Sequence, residues 1–199
     1  MSNDLKQTRR QQSHERILDA AARALCRDGY AGLGVANVMK EAGLTHGGFY
    51  AHFDSREALL AEAVEHAGMR SMARMRERLA RRVDEGISPL RALIEEYLSD
   101  THVNALDAGC PVAALGPDLG RGETALRGVA LGRVQHLVAA IARLLPPGSA
   151  PGAAQVIAAT LVGSVQLARV LPETDREAML QNARASLLAQ FDHADVGAH

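Results

Sequence analysis

The chain has 199 residues, 47% of them hydrophobic and 23% charged, with no Trp and 3% aromatic content; this balance excludes wholesale disorder and, with few clusters of β-branched residues, favours an all-α fold. Two cysteines are too few for a disulfide framework, no charged-then-apolar leader opens the chain, and the apolar stretch 156–171 is interrupted by Thr160, Gly163, Ser164, Gln166 and Arg169, so a cytoplasmic protein without a membrane span is expected. The net charge of −1 argues against a uniformly basic nucleic-acid binder; residues 1–56 hold eight Lys or Arg against six Asp or Glu, an asymmetry in the right direction but too small to establish a DNA-binding face by itself.

Residues 1–12 lack apolar periodicity and carry Lys6, Arg9 and Arg10, which predicts a mobile basic arm. From Ser13, a plausible N-cap, the rows Ile17, Ala21, Leu25 and Leu18, Ala22, Cys26 predict an amphipathic helix ending at Gly29. Two short helices follow, about Val35 to Ala42 and His46 to Phe53, separated by Gly43 and with Thr45 placed to cap the second. Ser55 caps a long helix with apolar positions Leu59, Leu60, Ala63, Val64, Ala67, Met72, Met75, Leu79 and Val83, and with Gly68 as a bend. Ser88-Pro89 starts a helix burying Leu90, Leu93, Ile94, Tyr97 and Leu98. A loop through Gly109-Cys110-Pro111 leads to a short segment ending near Gly116. The stretch from Glu123 to Leu145 is apolar on more than one side, which predicts burial at the centre of a bundle. Residues 146–152 break it, and helices over Ala153–Leu171 and Glu173–Phe191 complete the chain.

Two short helices joined by a glycine-containing turn make a helix-turn-helix. Phe49 and Phe53, four residues apart, share one side of the second helix and with Leu18, Val38 and Leu44 supply a small core. Thr45 and His46 stand at its leading end, the end that such a motif inserts into the major groove. Gly47 and Gly48 each lower helix stability by about 1 kcal/mol relative to Ala. They suit either a close backbone approach to phosphate and base edges or merely a tight helix start.

The segment Val35 to Leu60, with the preceding helix from Ser13 to Tyr30, closely resembles the DNA-binding signature of the TetR family. That resemblance implies an all-helical homodimer. An N-terminal three-helix DNA-binding domain, here residues 1–54, would be followed by a ligand-binding and dimerisation domain, residues 55–199. It further implies that Tyr50 and His52 meet DNA, Tyr50 through its hydroxyl on a phosphate. Arg56 would grip a phosphate together with a helix N-terminus, with Lys40 and Asn37 as flanking contacts. Gly34 departs from the family's Ser or Thr cap.

In the second domain, residues 109–115 resemble a Gly-Cys-Pro motif of a subset of these repressors, some of which sense electrophiles or oxidants through a cysteine. Cys110 is therefore a sensing position, with His102 or Arg121 available to lower its pKa, or else a buried small apolar residue like Cys26. Met69, Met72, Met75, Tyr97, His102, Leu115, Val134, His136 and Gln166 are positions for an effector pocket. His102, Cys110 and His136 match no compact metal-ligand spacing, so neither metal nor cofactor is expected. The last two helices, with Ala159, Gly163 and Leu167, are expected to form the dimer interface as a four-helix bundle, which implies an inverted-repeat operator. No Ser-His-Asp set, phosphate-binding glycine loop or paired catalytic carboxylates are found, and the expected partners are duplex DNA, a second copy and a small effector.

Overall fold

The computed structural model describes residues 2–115 and 124–192 and consists there of helices and turns. Helix α1 spans Ser2–Gly32, α2 Val35–Glu41, a 3₁₀ helix His46–Ala51, and α3 Arg56–Asp84. Then follow α4 (Pro89–Tyr97), α5 (Asp100–Asn104), α6 (111–115), α7 (Thr124–Ala142), α8 (Ala153–Ala168) and α9 (Glu173–Phe191). Two compact units divide the chain: Met1–Ser71 with Leu106–Leu131, and Met72–Ala105 with Gly132–His199. The first unit thus takes in more chain than residues 1–54.

The first unit is built on a core that includes Ile17, Leu18, Ala21 and Leu25 of α1, Val38 and Met39 of α2, Phe49 and Phe53, and Leu59, Leu60, Ala63 and Val64 of α3. Leu115 and Leu126 join the same core. Helix α1 corrects the expected mobile arm: the backbone is already helical at Ser2, and Ser13 is not a cap but accepts a hydrogen bond from Arg16 Nη2 at 3.2 Å. Residues 2–12 contain neither Gly nor Pro, so nothing in them breaks a helix that the buried stripe beyond Ile17 nucleates. Gly29 stops α1 with φ 74°, and one further turn carries the chain to Gly32. Gly43, φ 72°, makes the turn after α2; a side chain there would strain the backbone.

Ser55 Oγ accepts from Ala58 N–H at 3.0 Å at the start of α3, as a cap should. The bend expected at Gly68 is absent: α3 runs unbroken, and Gly68 is buried beside Ala67.

In the second unit, Ser88 and Ser99 cap α4 and α5 by accepting from Arg91 N–H (3.1 Å) and His102 N–H (3.2 Å). The Ser99 cap explains a five-residue helix that apolar periodicity does not reveal. Helix α9 packs on α8 and α4. The buried side chains of this unit include Leu90, Ile94, Leu98, Ile141, Ile157, Leu161, Val165, Leu180 and Leu187. Gly148 and Gly152 take positive φ in the break before α8. Helix α7 is not buried on all sides as expected: Leu131 and Val134 are exposed.

Candidate nucleic-acid interface

The helix-turn-helix is α2 and the 3₁₀ helix, held against α1. Phe49 and Phe53 are 2% and 3% exposed and stack with ring centroids 5.7 Å apart, while Leu18 and Val38 are buried in the same core and Leu44 packs on it. The four-residue spacing of the two Phe therefore fixes which side of the segment faces inward. Tyr50, one residue along, stands 75% exposed. Thr45, His46 and Gly47 are exposed at the leading end, and so are Asn37 and Lys40 on α2. The segment is a 3₁₀ helix rather than an α-helix. Thr45 occupies the N-cap position with extended backbone, but its side chain makes no cap hydrogen bond. Gly34 likewise caps α2 without a side-chain bond.

Neither Gly47 nor Gly48 has a positive φ. A Cβ at Gly47 would meet nothing within 4 Å, and at Gly48 only Met39 Cε at 3.7 Å and Thr45 Oγ1 at 3.8 Å, ordinary contact distances. Within the chain, then, neither backbone conformation nor packing requires glycine at these positions.

Arg56 is half-buried and engaged inside the protein. Its Nη2 donates to Tyr30 O (2.9 Å) and Leu33 O (3.2 Å), its Nε donates to Leu33 O (3.3 Å), and the guanidinium lies 4.9 Å from the Tyr30 ring centroid. It ties α3 to the chain end of α1, where carbonyls without helical partners need donors. His52 is also turned partly inward; burial, then His14 and Arg10, lower its pKa.

Three residues not singled out as site residues hold this unit together. Arg10 Nη2 donates to Ala51 O at 2.8 Å, on the last residue of the 3₁₀ helix. His14 stacks on Phe53 with centroids 4.7 Å apart and bonds Glu62 of α3 at 2.9 Å. Arg23 pairs with Glu41 of α2 at 2.9 Å. The signal for the first two was the four-residue spacing 10, 14, 18, which extends the buried row of α1 backwards.

Residues 17–63 match the family model of bacterial regulatory proteins, tetR family. Over these residues the chain is similar to the TetR-type regulators. An uncharacterized HTH-type transcriptional regulator of Mycobacterium tuberculosis is 29% identical over 189 residues, covering 89% of this chain and 95% of that one. The regulator UidR of Escherichia coli is 31% identical over 99 residues, 50% of this chain and 48% of UidR. Among solved structures, a TetR transcriptional regulator from Chloroflexus aurantiacus superposes with a TM-score of 0.76 at 24% identity, over 92% of this chain and 98% of that one. The reduced form of Escherichia coli NemR superposes with a TM-score of 0.74 at 20% identity, covering 92% and 99%. The fold is thus the TetR-type fold over nearly the whole chain.

The residues expected to form an effector pocket are divided between the two units. Leu115 lies in the core of the first unit, and Met69 belongs to that unit and is exposed. Tyr97 and His102 are buried in the second unit, with ring centroids 4.4 Å apart and His102 Nδ1 bonded to Tyr97 O at 2.6 Å. Because a carbonyl only accepts, Nδ1 carries the proton. Burial pulls the His102 pKa down to about 4. Gln166, Met72 and Met75 are half-buried, whereas His136 and Val134 are exposed on α7. Cys110 is 8% exposed in the first unit, so the buried reading fits it better than the accessible one. Cys26 is packed with Ala22 and Ala67. Arg121 lies outside the described residues. Among the described residues no group of His, Cys, Asp and Glu could hold a metal, and no helix is long and apolar enough to cross a membrane.

Proposed function

We propose that the protein is a dimeric transcriptional repressor that holds an inverted-repeat operator through the leading end of the 3₁₀ helix and lets go when a small ligand or electrophile engages the second unit. The observation that carries this reading is the division of one short rod. Phe49 and Phe53 are sunk in the core while Tyr50, Thr45, His46 and Gly47 are exposed beside them. On this reading the Tyr50 hydroxyl meets a phosphate, Thr45 and His46 reach base edges, and the backbone at Gly47 and Gly48 comes close to the duplex. Lys40 and Asn37 add flanking contacts. His52, partly turned inward, contributes at the margin, and Arg56 acts by positioning the start of α3 rather than by gripping a phosphate.

Dimerisation through α8 and α9 is supported by the open face of α8, where Val156 and Leu167 are 49% and 57% exposed with Ala159 and Gly163 between them, and by Val170 just beyond its end, 84% exposed. Val156, Gly163 and Val170 recur every seven residues, the repeat of a helix seam. A two-fold pair presents two reading helices, hence the inverted repeat. Release requires an effector that prefers the conformation in which those helices are mis-spaced. Helix α3, part of both units, is the economical lever. Tyr97, His102, Gln166 and Met72 are the effector positions in the second unit; thiol chemistry at Cys110 would need an opening motion first.

Selection of bound sequences from a random duplex library tests the reading. An enriched inverted repeat is expected, bound with an affinity that falls steeply as salt rises and that is lost in Tyr50→Ala. No enrichment, or equal retention by Tyr50→Ala, would overturn it.

A further inference from the structure

The trailing end of the 3₁₀ helix is crowded with basic groups. Arg10 Nη2 is bonded to Ala51 O at 2.8 Å, and the His14 ring lies 6.0 Å from the His52 ring by centroid. His52 closes the 3₁₀ helix: its backbone N–H donates to Phe49 O at 2.9 Å, and it follows the exposed Tyr50 and Ala51. Its Nδ1 is buried and makes no hydrogen bond among the described residues. Solvent or a ligand therefore reaches the half-buried ring through Nε2. Burial, then His14, then Arg10 all favour the neutral ring. On the acidic side, Glu62 of α3 is engaged by His14 at 2.9 Å, and Asp54 follows His52 in the chain. Either neutral tautomer leaves Nδ1 unmatched, as a buried donor or a buried acceptor. A second proton thus adds charge without adding an unmatched atom, and what that charge needs is an anion at Nε2.

We propose that His52 takes up a proton as the protein engages a duplex and, as an imidazolium, donates from Nε2 to a backbone phosphate beside Tyr50. This inference rests on the DNA-binding reading above and adds its regulation: acid tightens the complex. A phosphate there offsets the repulsion from Arg10 and His14 and gives Nε2 an anionic acceptor in place of water. The proton comes from the buffer and returns to it on release. A two-fold dimer carries two such histidines, so at most about two protons are bound per complex. At fixed salt, each histidine then strengthens binding by up to roughly tenfold for every pH unit lowered through its titration range.

Calorimetric titration of the full-length protein with the selected duplex, at one pH near 7 and one salt concentration in buffers of different ionisation enthalpy, counts the protons taken up. The parent is expected to show net uptake and to bind more tightly as pH falls from 8 to 6. His52→Gln keeps a polar side chain that does not titrate and should lose most of that uptake and of the pH dependence. His46, exposed at the leading end, is the other histidine of the 3₁₀ helix; His46→Gln should bind more weakly and keep the uptake. The assigned His52 ring resonance in the parent needs no variant and should titrate at higher pH in the complex than in the free protein. The proposal is overturned by a parent that takes up no proton, by uptake in His52→Gln equal to the parent's, by uptake lost in His46→Gln instead, or by a His52 resonance that titrates alike in both states. Duplex binding without proton uptake sinks this inference alone, whereas absence of duplex binding at every pH sinks the regulator itself.

Discussion

Replacing Gly47 with Ala should make the protein more stable and a worse DNA binder at the same time. The methyl would meet no atom within 4 Å, and the backbone φ there is not positive, so the folded state accepts it without strain. The unfolded chain meanwhile loses freedom, a gain of about 0.4–1 kcal/mol. For a chain of this length that is a rise in melting temperature of roughly 1–4 °C. At the interface the same methyl projects from an exposed position at the leading end of the 3₁₀ helix. If the backbone there approaches a phosphate or base edge, one charge-assisted contact is lost, about 1.5–3 kcal/mol or roughly 10–100-fold in affinity. Gly48→Ala should be stabilised alike, since Met39 Cε and Thr45 Oγ1 meet its added carbon only at ordinary distances of 3.7 and 3.8 Å, and should lose less affinity because this position is half-buried. Scanning calorimetry gives one quantity, and fluorescence anisotropy with the selected duplex at fixed salt gives the other. A variant that is more stable and binds DNA undiminished would refute the close-approach argument, and a less stable one would refute the packing argument.

Tyr50→Phe removes only an exposed hydroxyl and should weaken duplex binding by about 1–2 kcal/mol without moving the melting temperature. Arg56→Ala should instead lower stability by about 1–3 kcal/mol, since it strips the Tyr30 and Leu33 carbonyls of their donor; an unchanged melting curve with lost DNA affinity would restore Arg56 as a direct contact. Leu167→Glu on the open face of α8 should convert the dimer expected near twice 21.2 kDa into monomer by light scattering, and a persistent dimer would move the interface elsewhere. His102, lowered to about 4 from an ordinary 6.5, is neutral in the fold while the unfolded chain takes up a proton. Stability from keeping it neutral is therefore whole above about pH 6.5 and falls toward pH 4, by about 3 kcal/mol at most. Asp19 acts at more acid pH: burial raises its pKa, but hydrogen bonds from His66 and Arg70 outweigh this and leave it lowered, so its contribution is present above its ordinary 3.8 and lost below. Urea titrations from pH 8 to 3 should show the first loss vanish in His102→Asn and the second vanish in Asp19→Asn.

The helix-turn-helix was legible because its determinants are local and its periodicity short. The pair Phe49 and Phe53, the glycine at 43 and the cap at Ser55 each specify their own turn of chain. Arg10 and Arg56 were harder, because a cation in one dimension looks like a solvated charge or a phosphate contact. Only the fold shows that carbonyls at Ala51, Tyr30 and Leu33 face them. The same bias made an arm of residues 2–12, where charge was taken for disorder although no helix breaker was present. In the second unit, α7 has apolar residues on several sides, so its sequence does not say which of them a core takes and which, like Leu131 and Val134, stay open. Residues 116–123, where the expected short segment meets α7, lie outside the described chain.

The continuity of α1 from Ser2, with Arg10 bonded to the last residue of the 3₁₀ helix, bears on how the protein is handled. A helix-forming tag joined ahead of α1 would prolong a stiff rod by about 1.5 Å per residue, next to the surface proposed to read the duplex. Affinity handles and fluorophores for binding assays therefore belong away from this end, and an amino-terminal fusion that blunts duplex binding would be reporting obstruction by the label.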